Sequence, residues 1–172
     1  DVRLTCLMPS VLWILAVVIV LSGCGSTEDS GMGSKRRLVE RISRAGDLND
    51  PDTPAPLVTL EEFFEGNDDP GSIGCNLAGE VVPSEFYELL KAVRDRSDVA
   101  CVVVQVTMHD DPEAWPFSDT VWVITSATSA QVRSWVPDRL APDELLDGIH
   151  TDRPIEAHPI PAGMRAVGLW YD

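Results

Sequence analysis

The densest cluster of residues able to do chemistry is Met108-His109-Asp110-Asp111, with Glu113 close behind it. An imidazole beside several carboxylates can hold a divalent cation or carry out acid–base catalysis. The candidate catalytic or metal-binding residues are therefore His109, Asp110, Asp111 and Glu113. No second histidine lies at metal-ligand spacing, because His150 and His158 belong to a distant Pro-rich segment. The sequence favours a solvated hairpin loop over such a site, and no cofactor is expected.

A second acidic loop covers Glu65–Gly71, with the sequence Glu-Gly-Asn-Asp-Asp-Pro-Gly. Calcium-binding EF-hand loops place carboxylates at alternate positions before a glycine, and this loop lacks that spacing. Its Asn, Asp, Pro and Gly residues are those of ordinary turns. We therefore expect a turn here, not a calcium site.

The tripeptide Trp115-Pro116-Phe117 places two aromatic residues in an otherwise polar loop. Aromatic side chains are enriched at the energetically important positions of binding surfaces. Trp115 and Phe117 are therefore a candidate binding surface. The alternative is that both rings fold back onto the edge of the core.

The N-terminal part has the order of features found in an export signal. Val11–Leu21 is an uncharged apolar run of 11 residues, short for a membrane span. It ends at Leu21-Ser22-Gly23-Cys24, which resembles the lipobox of bacterial lipoproteins. The resemblance implies that residues 1–23 are a cleaved signal peptide and that Cys24 carries lipid. It also implies a membrane-anchored protein in the cell envelope, facing outside the cytoplasm. A buried helix or an uncleaved anchor is the alternative.

If Cys6 leaves with the signal and Cys24 is lipidated, two of the 4 cysteines remain. An even number of cysteines in an exported domain indicates a disulfide, here between Cys75 and Cys101. The alternative is two separate thiols, with Cys101 buried in its strand as a small apolar residue.

Charge divides the rest of the chain into two parts. Residues 24–56 are rich in Gly, Ser, Asp and Pro and are predicted to be a flexible tether. A marginal helix is possible there, since Leu38 and Ile42 are four residues apart, but a short isolated helix is weak in water. Residues 57–172 hold 21 of the 28 acidic and 7 of the 13 basic residues, so nearly all of the net charge of −15 belongs to them. Such acidity excludes a nucleic-acid partner, because phosphate contacts need Lys and Arg.

Local signals predict the elements that would position these loops. Two capping boxes, Thr59 with Glu62 and Thr128 with Gln131, begin helices, and Pro83 begins a third. A further helical turn is predicted at Pro142–Leu146. The predicted strands are Val99–Met108, Thr120–Thr125 and Arg165–Tyr171, the first two apolar enough to be covered on both faces.

The predicted order is α-α-β-β-α-β, an α+β fold with a small, mainly antiparallel sheet and helices on one face. The charge of residues 57–172 favours a protein partner with a basic surface, since long-range fields steer acidic domains to such partners. The sequence thus predicts a membrane-anchored binding protein with an inhibitor, immunity or assembly role. A metal-dependent or acid–base enzyme using His109 and its neighbouring carboxylates is the alternative.

Overall fold

A computed structural model describes residues 27–79, 81–149 and 153–172. The predicted signal peptide, the lipobox with Cys24, and His150 lie outside these ranges. The helices are α1 (Thr27–Ser43), α2 (Leu60–Phe64), α3 (Pro83–Arg94) and α4 (Ser129–Trp135). The strands are β1 (Leu57–Thr59), β2 (Val99–Gln105), β3 (Thr120–Thr125), β4 (Glu144–Asp147) and β5 (Arg165–Trp170). Among the residues described, no helix has the length and apolar character needed to cross a bilayer.

The five strands form one sheet in the order β1-β2-β3-β5-β4, and every neighbouring pair is antiparallel. The predicted α+β fold with an antiparallel sheet is confirmed. All residues of β3 are buried, as its unbroken apolar sequence predicted. The chain therefore builds its fold around β3, with β2 and β5 beside it.

The two faces of the sheet are covered differently. One face carries the main core, to which all four helices contribute side chains, among them Leu38, Phe63, Phe86 and Val132. The other face carries a smaller core around Trp122 and Ile124. Residues 153–164, which contain neither helix nor strand, cover that smaller core and are called the cover segment here. The expectation that the helices share one face is therefore confirmed.

Gly168 and Gln105 fit Trp122 into the smaller core. The indole Nε1 of Trp122 donates a hydrogen bond to Gln105 Oε1 at 2.8 Å, so this buried polar atom is paired. A Cβ atom at Gly168 would lie 2.8 Å from Cζ3 of Trp122, which is too close for any larger residue without a shift. The absence of a side chain at Gly168 thus makes room for Trp122, the largest fully buried side chain among the described residues.

Both predicted capping boxes are present. Glu62 N donates to Thr59 Oγ1 at 3.1 Å and Thr59 N donates to Glu62 Oε2 at 2.8 Å, which begins α2. Thr128 and Gln131 make the corresponding pair before α4. Such reciprocal bonds satisfy amide groups that the first helical turn leaves unpaired.

The prediction of a helical turn at Pro142–Leu146 is wrong. Glu144–Asp147 is strand β4, paired with β5 at the edge of the sheet. Leu145 packs against the main core and Leu146 against the smaller one, so the two leucines point to opposite faces. Tertiary pairing with β5 overrides a weak local preference for helix.

The predicted tether of residues 24–56 also needs correction. Most of its first half is α1, and Leu38 and Ile42 of this helix are buried in the main core. At Gly66, which has a φ of +77°, a Cβ atom would lie 2.7 Å from the α-carbon of Gly31, so the backbones touch. A short helix gains most of its stability from packing, and this packing is what the sequence pattern does not display. The folded domain therefore begins within α1 and not at Leu57.

We predict that Leu38→Ala lowers the free energy of unfolding by about 2–5 kcal/mol, as for other buried leucines. Leu38 is 1% exposed, whereas Met32 on the same helix is 70% exposed and supplies the control, Met32→Ala. Urea denaturation of the full chain measures both. Equal stability of the two variants would show that α1 is a tether after all.

Candidate functional site

The two acidic loops meet beside the N-terminal half of α1. The turn after α2, residues 66–71, and the loop between β2 and β3, residues 108–117, line two adjoining cavities of about 580 and 280 Å³. Trp115 and Asp69 line both. We call the joint depression the acidic cleft, because five carboxylates line it: Asp68, Asp69, Asp110, Asp111 and Glu113.

Hydrogen bonds fix the turn after α2 against the loop that faces it. Asp69 Oδ1 accepts from Gly71 N at 2.9 Å, and Asp69 Oδ2 accepts from Trp115 N at 3.1 Å. Ser118 N donates to Ser72 O at 2.9 Å. Asp69 thus closes its own turn with one oxygen and holds the opposite wall of the cleft with the other.

Lys35 of α1 connects the helix to the same loop. Its ammonium donates to Pro112 O at 2.8 Å and to Glu113 O at 2.7 Å. The cleft therefore already holds one ammonium group, at two backbone carbonyls.

The structure does not place Trp115 at an exposed loop tip. Trp115 is 7% exposed and packs in the main core, while Phe117 is half-buried. Phe117 N donates to Met108 O at 2.8 Å, which closes the loop at its base. Trp115 thus folds back onto the core, which was the alternative to an exposed binding surface, although its ring still lines the cleft.

The indole nitrogen of Trp115 is the unusual feature of the site. Its Nε1 is buried and has no hydrogen-bond partner, and the same holds for Nε2 of His109. A buried polar group left unpaired costs about 1–3 kcal/mol, so such groups are rare in folded proteins. Two of them line the same depression.

The surroundings of His109 favour its neutral form, because they lower its pKa. Burial lowers its pKa, the charge of Lys35 lowers it further, and Asp110 and Asp111 oppose these effects. A neutral imidazole has one nitrogen that donates and one that accepts.

The predicted metal or catalytic residues do not converge as a ligand set. Over residues 27–79, 81–149 and 153–172, no group of three or more His, Cys, Asp and Glu side chains is arranged to hold a metal ion. Asp111 Oδ1 instead accepts from Glu113 N at 2.8 Å, a local turn bond. His109, Asp110, Asp111 and Glu113 thus lie in one loop of the described chain without forming such a ligand group.

The expected disulfide between Cys75 and Cys101 does not form in this fold, because both residues are free thiols. Cys75 lies near Ile73 and Leu77, which pack into the main core, whereas Cys101 packs against the smaller core. The sheet separates the two. Cys101 Sγ lies 3.2 Å from Nε2 of His158 in the cover segment, and burial raises the pKa of the Cys101 thiol.

Comparison with known proteins gives a family without a described activity. The protein-family model described as the uncharacterized protein YfbO family matches residues 34–169. The uncharacterized protein YfbO of Escherichia coli (strain K12) is 41% identical over 136 residues, which cover 79% of this chain and 96% of that protein. No solved structure matches. The family match runs from α1 into β5, so it covers the acidic cleft except for Gly31 and Met32, and it does not reach the lipobox.

We predict that Lys35→Met loosens the loop between β2 and β3, because it removes the two bonds to Pro112 and Glu113. Hydrogen exchange of the full chain should show faster exchange of the amides of residues 113–115. Arg36→Met is the control, since Arg36 forms an exposed ion pair with Glu40 one helical turn away, and such pairs contribute little to stability. Identical exchange in the two variants would mean that Lys35 does not hold the loop.

Proposed function

The chain belongs to the YfbO family, and we propose that it is a lipid-anchored envelope protein that binds a protein partner with a basic surface. An inhibitor, immunity or assembly role would require no more than such binding. The observation that carries the proposal is the acidic cleft, where carboxylates from two separate loops face a common depression.

The distribution of charge supports this partner class. Asp68, Asp110, Asp111 and Glu113 are exposed, so their charges reach into solvent. Clustered charge of one sign speeds association with an oppositely charged partner and suppresses binding of partners with the same sign. Several arginines of the described chain pair with carboxylates outside the cleft, such as Arg94 with Glu61 and Arg41 with Glu156.

The short sequence distance between Cys24 and α1 limits how far the cleft could lie from a lipid anchor. Two residues separate Cys24 from Thr27, so covalent geometry limits the distance between their α-carbons to about 11 Å. Gly31, which lines the cleft, lies one helical turn beyond Thr27. If Cys24 carries lipid, the cleft works close to the bilayer surface and not at the end of a long tether.

We predict that Cys24→Ser moves the protein from the membrane fraction to the soluble envelope fraction. Cys75→Ser is the matched control, because Cys75 is an exposed free thiol. Cell fractionation and the mass of the N-terminal peptide measure the change. A Cys24→Ser protein that stays in the membrane fraction would contradict the lipid anchor.

We also predict that Asp110→Asn with Asp111→Asn makes the partner elute from the immobilised full chain at lower salt. Asn keeps the acceptor oxygen of Asp111 and removes the charge. The control pair, Asp95→Asn with Asp138→Asn, removes two exposed charges outside the cleft. Equal loss in both pairs would show that overall charge, and not the cleft, holds the partner. Retention that does not depend on salt would contradict the proposal itself.

A further inference from the structure

The unpaired indole of Trp115 lacks a hydrogen-bond acceptor. Its Nε1 can only donate a hydrogen bond, and the described residues supply no acceptor for it. By contrast, the indole of Trp122 has its acceptor in Gln105 Oε1. The cleft is therefore incomplete at one position, and an oxygen atom from outside the fold would complete it.

The charge around Trp115 restricts which oxygen that is. A carboxylate or phosphate oxygen would have to approach Asp69, Asp110 and Asp111, and like charges at such distances repel. A neutral carbonyl oxygen carries no such penalty. Backbone carbonyls are the neutral acceptors that every peptide segment carries.

The contacts of Lys35 indicate how the cleft would bind a cationic group of the partner. Its ammonium is held at Pro112 O and Glu113 O, on the wall that Trp115 and Glu113 share. One part of the cleft thus holds an ammonium group at backbone carbonyls, and the exposed carboxylates of Asp68, Asp110 and Asp111 line the cleft as acceptors for another.

We propose that the acidic cleft binds an extended Lys- or Arg-bearing segment of the partner, whose cationic side chain meets the carboxylates while a backbone carbonyl accepts from Trp115 Nε1. The proposal rests on the function proposed above and specifies its chemistry. Because Nε1 is shielded from solvent in the free protein, the entering segment has to displace the atoms that cover it. The new hydrogen bond replaces an unpaired buried group, so the bound state gains the pairing that the free state lacks.

Two small probes separate the two halves of this recognition. Pentalysine amide carries ammonium groups and backbone carbonyls, whereas spermine carries ammonium groups alone. Titration of the ¹⁵N-labelled full chain follows the indole N–H signals, and Trp115→Phe assigns the Trp115 signal. The Trp122 indole serves as an internal control, since it is already paired and buried.

We expect pentalysine amide to shift the Trp115 indole signal downfield and to leave that of Trp122 unmoved. Trp115→Phe removes the N–H and keeps an aromatic ring, so it should weaken pentalysine binding about tenfold, the value of one hydrogen bond. Spermine should bind without shifting the Trp115 indole, and Trp115→Phe should not change its affinity. An unchanged Trp122 signal in the Trp115→Phe protein shows that this variant is folded.

Several outcomes would overturn the inference. They are an unmoved Trp115 indole at saturating pentalysine, equal affinity of the Trp115→Phe protein, or no binding of pentalysine at low salt. If the partner still elutes earlier from the Asp110→Asn, Asp111→Asn protein, the proposed function survives and only this mode of recognition is wrong. If partner retention is also insensitive to those charges, both proposals fall.

Discussion

The packing of α1 against the turn after α2 is the contact on which the acidic cleft depends. Gly31 and Gly66 bring two backbones together where any side chain would separate them, and Leu38 and Ile42 bury the far end of the helix in the main core. With the helix in this place, Lys35 reaches the carbonyls of the loop opposite. Without it the larger cavity would lose one wall. The same helix includes Thr27, three residues after Cys24 in the sequence, so the predicted anchor lies close in sequence to the candidate site.

The rest of the fold holds that arrangement in place. The cover segment closes the second face of the sheet and is fastened by Arg153, which donates to Thr53 O and Thr107 O, and by Glu156. Glu156 accepts from Arg41 of α1 and from Leu57 N of β1, so the cover segment also braces the end of α1. The helix is thus fixed at its N-terminal half by a backbone contact and at its C-terminal half by burial and an ion pair. These contacts place the N-terminal half of α1 as one wall of the larger cavity.

Sequence motifs predicted the helices and strands that are determined by residues close to one another in the chain. The two capping boxes, the Pro83 start of α3 and the unbroken apolar run of β3 each contain their own reason within a few residues. β4 and α1 do not, because the pairing of β4 with β5 and the burial of Leu38 depend on residues far away in the sequence. For the site, the sequence indicated the residue types at 108–117 but not that the loop of Asp68 and Asp69 would face them. The unpaired Trp115 indole has no sequence signal at all, since pairing depends on the complete surroundings of one atom.

Site-specific photo-crosslinking in cells shows whether the partner contacts the acidic cleft. A photoreactive residue at Met108, which lines the cleft and is 42% exposed, is compared with one at Ile160 in the cover segment, which is 43% exposed. We expect a discrete crosslinked protein from position 108, which disappears when Asp110 and Asp111 are replaced by Asn. We expect no crosslinked protein from position 160. A crosslinked protein that forms from position 160, or one from position 108 that persists without those two charges, would contradict this contact.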